Sequence, residues 1–211
     1  MTWPKSPEWE ERLSSLPREL WLSRIAEYTP PQVKSLLASH QPPSIAQLQS
    51  LGWANTADAG VYLCFLRPKG GSGSVKEMGY VYAGSGTGAG SGLSGRRRCI
   101  LSSSTGKDSL KSKISKLDLD LEKNFVVLFR VPFDVDVHDA RVIATLARLV
   151  YMIWLGAVDE ELKPKIKYLV PWLLEDVKYR GLAKDDPLAR NLPGLKNIEI
   201  ELNAQENGGD E

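Results

Sequence analysis

Cysteine, histidine and net charge are all scarce: two cysteines, two histidines and a balance of +1 in 211 residues. Cys64 and Cys99 lie far apart, without metal-ligand spacing or a secretory context, so a disulfide framework and a thiolate metal site are excluded and two reduced thiols are expected. Of the histidines, His40 stands alone. His138 falls in Asp134-Val135-Asp136-Val137-His138-Asp139, where alternation along an extended segment entering a helix cap explains the pattern better than a metal cluster. Ser102-Ser103-Ser104-Thr105 has no base and acid to activate a hydroxyl, so it reads as loop. Long apolar runs are also missing. The longest, residues 142–158, carries Arg148 near its centre, which would cost about 2.5–3.5 kcal/mol in a bilayer, so it predicts a buried helix. The first ten residues hold Pro4 and Pro7 and no apolar core of a signal peptide. A soluble, intracellular protein, nuclear or cytoplasmic and without a membrane partner, is expected.

What the chain does have is ordinary globular usage, 42% hydrophobic and 25% charged, enough for one core with helical decoration. Its charge is segregated. Between Gly95 and Leu117 stand Arg96, Arg97, Arg98, Lys107, Lys111, Lys113 and Lys116 against Asp108 alone. From Glu199 onward the sign reverses, with Glu199, Glu201, Glu206, Asp210 and Glu211 and no basic residue. A basic strip of this kind suits a polyanion, and the tail reads as a flexible acidic end.

Residues 7–52 alternate helical stretches with proline breaks: 8–28 interrupted at Pro17, then 31–39 from a first-turn Pro31, then 44–51 from an N-cap Ser44. Leu13, Leu16, Leu20, Trp21, Ile25 and Tyr28 recur at helical spacing, so these helices should pack on the following domain; they are also the place for a protein partner. Strands are expected at 61–66, 79–83 and 125–131, the first two joined by a long turn from Arg67, the third ended by Pro132. One helix, near 92–101, is expected between the second and third strands, followed by loop. The strongest helix runs from Asp139 to about Leu155 behind an aspartate cap, apolar nearly all round. Trp154 and Trp172, set among leucines and isoleucines, are expected in the core.

The stretch Gly84-Ser85-Gly86-Thr87-Gly88-Ala89-Gly90-Ser91-Gly92 lacks the lysine of a Walker loop, since Leu93 follows Gly92, and fails the dinucleotide spacing in every register. Backbone amides at the start of the following helix remain candidates for a phosphate.

Two short motifs, Gly60-Val61-Tyr62 and Tyr80-Val81-Tyr82-Ala83-Gly84, followed by Leu93-Ser94-Gly95-Arg96, resemble the core of GIY-YIG nucleases over about residues 60–155. The resemblance implies an α+β (α/β) fold: a small antiparallel three-stranded sheet flanked by helices. The proline breaks, helical periodicity and charge pattern divide the chain around that core (56–158) into an N-terminal helical extension (1–55), a C-terminal helical segment (159–198) and the acidic tail (199–211). The resemblance further implies an endonuclease hydrolysing phosphodiesters of nucleic acid, DNA first, with Mg²⁺ or Mn²⁺ as cofactor. Tyr62 would be the base or water-positioning group and Tyr82 a second hydroxyl on phosphate or water. Arg96 would be the cation for transition-state charge, with the register open among Arg96, Arg97 and Arg98. Arg97, Arg98, Lys107, Lys111, Lys113 and Lys116 would contact the backbone.

The glutamate that the resemblance expects on the later helix, to hold the metal, has Arg148 in its place. Asp134, Asp136 and Asp139 are the alternative carboxylates, and no metal ligand is assigned. The second expectation is therefore an inactive relative that binds nucleic acid or protein, with Arg148 facing the cleft.

Overall fold

Proline and serine set the helix starts of the N-terminal quarter. Pro17 and Pro30 occupy the N-cap positions of α2 (Arg18–Tyr28) and α3 (Pro31–Leu37), and Pro31 takes the first turn of α3, where its missing N–H costs nothing. α4 (Ile45–Gln49) opens with a capping box, Ser44 and Gln47 each satisfying the other's backbone N–H. α1 (Pro7–Ser14) precedes them. The structure, a computed structural model, describes residues 7–14, 17–69, 79–88, 90–102, 109–117, 120–132, 135–184 and 187–188. The acidic tail, Lys107, Asp134, residues 103–105 and the turn at 70–74 lie outside the described residues.

The centre is an α+β unit with four strands rather than the expected three. β1 (Ala59–Pro68), β2 (Tyr80–Gly86) and β3 (Leu121–Val131) are antiparallel, and β4 (Arg180–Gly181) adds to β2 in parallel, giving the order β3-β1-β2-β4. β4 forms because the chain returns along the β2 edge, Arg180 N donating to Gly79 O at 3.0 Å and Leu182 N to Val81 O at 2.9 Å. Two residues leave no periodic signal to read in advance.

Between β2 and β3 lie α5 (Gly92–Leu101), where expected, and α6 (Ser109–Lys116), on a stretch read as loop. α7 (Val137–Trp154) begins two residues early, and its cap is Asp136, whose carboxylate accepts from the amides of His138 and Asp139. α8 (Lys163–Ile166) and a single 3₁₀ turn at Leu174–Asp176 follow.

Alternation along the strands sorts the core onto two faces. Val61, Leu63, Phe65, Val81 and Ala83 face α7 and join one continuous core with Trp21, Ile25, Val33, Leu37, Leu48, Trp172, Val177 and Tyr179. The N- and C-terminal helical segments thus share the core of the central unit, each large buried side chain there contributing about 1.5–3 kcal/mol. The opposite face carries Tyr62, Cys64, Leu66 and Tyr82, packed by Leu93, Ile100 and Leu110 of α5 and α6. Cys64 is buried, its thiol pushed up to about 12 by that burial, and Cys99 is exposed; neither forms a disulfide.

Trp154, expected in the core, is 37% exposed. It closes the end of α7, where with Leu22, Ile25, Leu37 and Val150 it lines an apolar groove of about 350 Å³. Among the described residues no helix is long and apolar enough to cross a membrane.

Candidate functional site

The β1–β2 register puts Tyr62 opposite Gly84 and Tyr82 opposite Cys64, so the two tyrosines are diagonal neighbours on one face. A β-bulge in the β1–β3 ladder falls between Val61 and Tyr62, bending the sheet beside them. Gly84 is required by contact: a Cβ there would collide with the Tyr62 hydroxyl and ring. The second motif's glycine is thus the floor on which the first motif's tyrosine lies.

α5 brings in the arginine. Gly92 opens it with φ +40°, and a side chain at that position would strike the carbonyls of Ala57 and Asp58. Leu93 N donates to Asp58 O at 3.0 Å and Ser94 N to Thr56 O at 2.9 Å, fixing the helix against the segment that leads into β1. These bonds correct one expectation: the first amides of α5 are taken by backbone carbonyls and do not face a phosphate. One turn on, Arg96 Nε donates to the Tyr62 hydroxyl at 3.3 Å, which selects Arg96 among the three arginines as the one on that tyrosine.

Tyr82 has its own arginine. Arg148, on the opposite face of the sheet in α7, reaches round the edge of β2, its Nε donating to Ala83 O at 3.2 Å and its Nη2 to the Tyr82 hydroxyl at 3.3 Å. The edge is open to it because, among the described residues, β4 pairs only with Tyr80 and Val81. Two turns earlier Arg141, buried, makes the same reach, Nε donating to Thr87 O at 2.9 Å. No described carboxylate pairs with Arg148 or Arg141, and the Nη1 of Arg141 is buried without an acceptor. Lys113 lies 5.8 Å from the centroid of the Tyr82 ring, as does the Arg148 guanidinium. The site is therefore two tyrosine–arginine pairs side by side, with Lys113 beside the second.

Both phenols are buried. Burial pushes the Tyr62 hydroxyl well above its ordinary value, Tyr82 adds to the rise, and Arg96 opposes it without reversing it. Tyr62 is therefore a neutral hydroxyl at physiological pH. It accepts from Arg96 and keeps its own proton to donate, which suits holding an oxyanion and does not suit the role of base.

The alternative carboxylates are committed elsewhere. Asp136 caps α7. Asp139 takes Arg12 and, at 3.1 Å, Arg24, and its place nine residues before Arg148 is about 13 Å along the helix. Among the described residues no group of three or more His, Cys, Asp or Glu is placed to hold a metal ion.

The basic strip is divided by the fold. Arg98 and Lys116 are exposed, as a backbone contact needs. Lys111 Nζ donates to Ser102 Oγ at 3.1 Å, and Lys113 Nζ is turned inward to Leu182 O at 2.6 Å, so Lys113 acts under Tyr82 rather than at the surface. Arg97 is half-buried and stacks 5.0 Å over Trp53 and 5.7 Å over Phe125. Trp53 and Arg141 were not singled out in the sequence. The seven-residue spacing of Arg141 and Arg148, which puts both on one side of α7, is the signal that marks the second. No family model, curated protein or solved structure matches the chain.

Proposed function

We propose that this chain is a GIY-YIG-like module that holds a phosphodiester of nucleic acid, DNA in the first instance, between its two tyrosine–arginine pairs without hydrolysing it. The observation that carries the reading is Arg148. It stands on the helix where the resemblance calls for a metal-binding acid, has no carboxylate partner among the described residues, and donates to the Tyr82 hydroxyl. A fixed positive charge there repels a divalent ion and attracts a phosphate, supplying part of the neutralisation a metal would give. The hydroxyls of Tyr62 and Tyr82 add donors for the same oxyanion.

A second reading, a Mg²⁺- or Mn²⁺-dependent endonuclease, draws on the Arg96–Tyr62 hydrogen bond, which sets a transition-state cation beside a hydroxyl on the motif strand. One experiment separates the two. Labelled branched, duplex and single-stranded DNA are incubated with the protein in magnesium, manganese or chelator, with Tyr62→Phe, Arg96→Ala and Arg148→Ala in parallel. Binding that survives chelation, weakens in Arg148→Ala and falls with salt at a log–log slope of roughly −0.9 per neutralised phosphate on duplex supports the binding module. Metal-dependent cutting that is lost in Tyr62→Phe and Arg96→Ala replaces it with the endonuclease. A flat salt response without cutting removes both.

A further inference from the structure

We infer that Trp53, Arg97 and Phe125 form a stacking platform for an unpaired nucleobase next to the phosphate site, so that the module takes a single strand by base and backbone together. The inference rests on the reading of the tyrosine–arginine pairs as a phosphate site and adds what sits beside it.

Trp53 lies in the irregular segment between α4 and β1, yet it is held. Val127 N donates to Gly52 O at 3.0 Å on one side of it and Ser94 N to Thr56 O at 2.9 Å on the other. Its indole is half-buried and meets Phe125 edge to face, with centroids 5.8 Å apart and planes at 75°. The Arg97 guanidinium packs over both rings, and no described carboxylate pairs with it. An indole and a guanidinium fixed in this way present flat, preorganised surfaces, and stacking on such surfaces is how proteins hold splayed bases.

Two hydrogen-bond donors at this spot are unmatched: Trp53 Nε1 and Arg97 Nε are both buried without an acceptor. Buried donors are nearly always paired, so a pair of orphans in one cluster calls for an acceptor that the described residues do not bring. Keto oxygens and ring nitrogens of a base edge are acceptors of the right kind. Phe125 links the platform to the phosphate site, its ring centroid lying 5.8 Å from that of Trp53 and 6.0 Å from that of Tyr62, so one nucleotide could reach from one to the other. A duplex keeps its bases stacked on one another and cannot offer this edge and face, which makes the expected ligand single-stranded or locally unpaired.

The test compares fluorescence anisotropy titrations of a short oligothymidylate and an abasic oligomer of the same length and charge. Wild type is expected to bind the oligothymidylate about tenfold more tightly, the size of one stacked base. Trp53→Ala should remove that preference and leave abasic binding unchanged, whereas Arg96→Ala should weaken both oligomers alike. If Trp53→Ala does not fold by urea unfolding, Trp53→Phe and Arg97→Gln take its place, each expected to reduce the preference. Equal wild-type affinity for the two oligomers, or a Trp53 variant that weakens both equally, overturns the platform while leaving the phosphate site standing. Failure to bind either oligomer, or binding of both that does not respond to salt, removes the phosphate site itself.

Discussion

The two faces of the sheet are built from the same strands and differ in nearly everything else. On the α7 face, Val61, Leu63, Phe65 and Val81 meet helices from the beginning, middle and end of the chain in one apolar core. On the other face, Tyr62 and Tyr82 lie in a smaller cluster under α5 and α6, with three cations, Arg96, Arg148 and Lys113, brought against their rings or hydroxyls. One face holds the fold and the other presents chemistry. Arg148 belongs to both, rooted in the α7 layer and delivered round the β2 edge.

Substitutions should break the two faces in different ways. Phe129→Ala, emptying a fully buried position against Tyr28 and Tyr151, is expected to destabilise the fold by about 3–5 kcal/mol in urea unfolding. The buried phenols make the next contrast. Burial pushes Tyr151 from 10.0 up to about 12 even though its hydrogen bond to Thr29 opposes the shift. The folded state therefore keeps a proton that the unfolded state releases. Its contribution is present in full below pH 10 and is lost as pH rises towards 12, at up to about 1.4 kcal/mol per pH unit. Tyr151→Phe should flatten that part of the stability–pH curve, and an unchanged slope would show that the ring is not protected from water.

On the site face, Gly84→Ala forces a methyl into the Tyr62 ring and should cost about 1–3 kcal/mol, with loss of ligand affinity beyond what stability explains. The same change in Tyr62→Phe removes only the hydroxyl and leaves the ring carbons in the way, so it should restore little of that loss. Arg148→Ala is expected to weaken DNA binding about tenfold and lower the salt slope by roughly 0.9. The smallest effect falls to Arg98→Ala, an exposed cation, where a few-fold loss of affinity and a stability change within about 0.5 kcal/mol are expected. A larger loss there than at Arg148 would move the binding surface from the cleft to the outer face of α5.

The parts of this comparison differ in how far the sequence reveals them. α7, α5, the three long strands and the Ser44 cap were legible because local signals and tertiary packing agree there. α6 was not, although Leu110, Ile114 and Leu117 are spaced for a helix face; the lysines between them carry the eye, and composition reads as a solvated strip. The pairing of Tyr62 with Arg96 could be expected from motif order, since both residues fall within the consecutive run β1, β2, α5. The pairing of Tyr82 with Arg148 could not. It depends on β2 having, among the described residues, an edge that β4 leaves unpaired beyond Val81. Trp53 escaped for a similar reason, its neighbours Arg97 and Phe125 being distant in sequence and assembled only by the docking of α5 and β3.

Sheet edges are places where proteins invite unwanted neighbours, and beyond the two residues that β4 covers, this one is guarded by side chains. The Ala83 and Thr87 carbonyls are covered by the guanidiniums of Arg148 and Arg141. On the proposed reading, a phosphate that drew Arg148 toward itself would loosen its hold on Ala83, linking ligand occupancy to exposure of the strand edge through one residue. Loss of both arginines would leave that edge bare permanently, and the expected cost is self-association of the purified protein at high concentration.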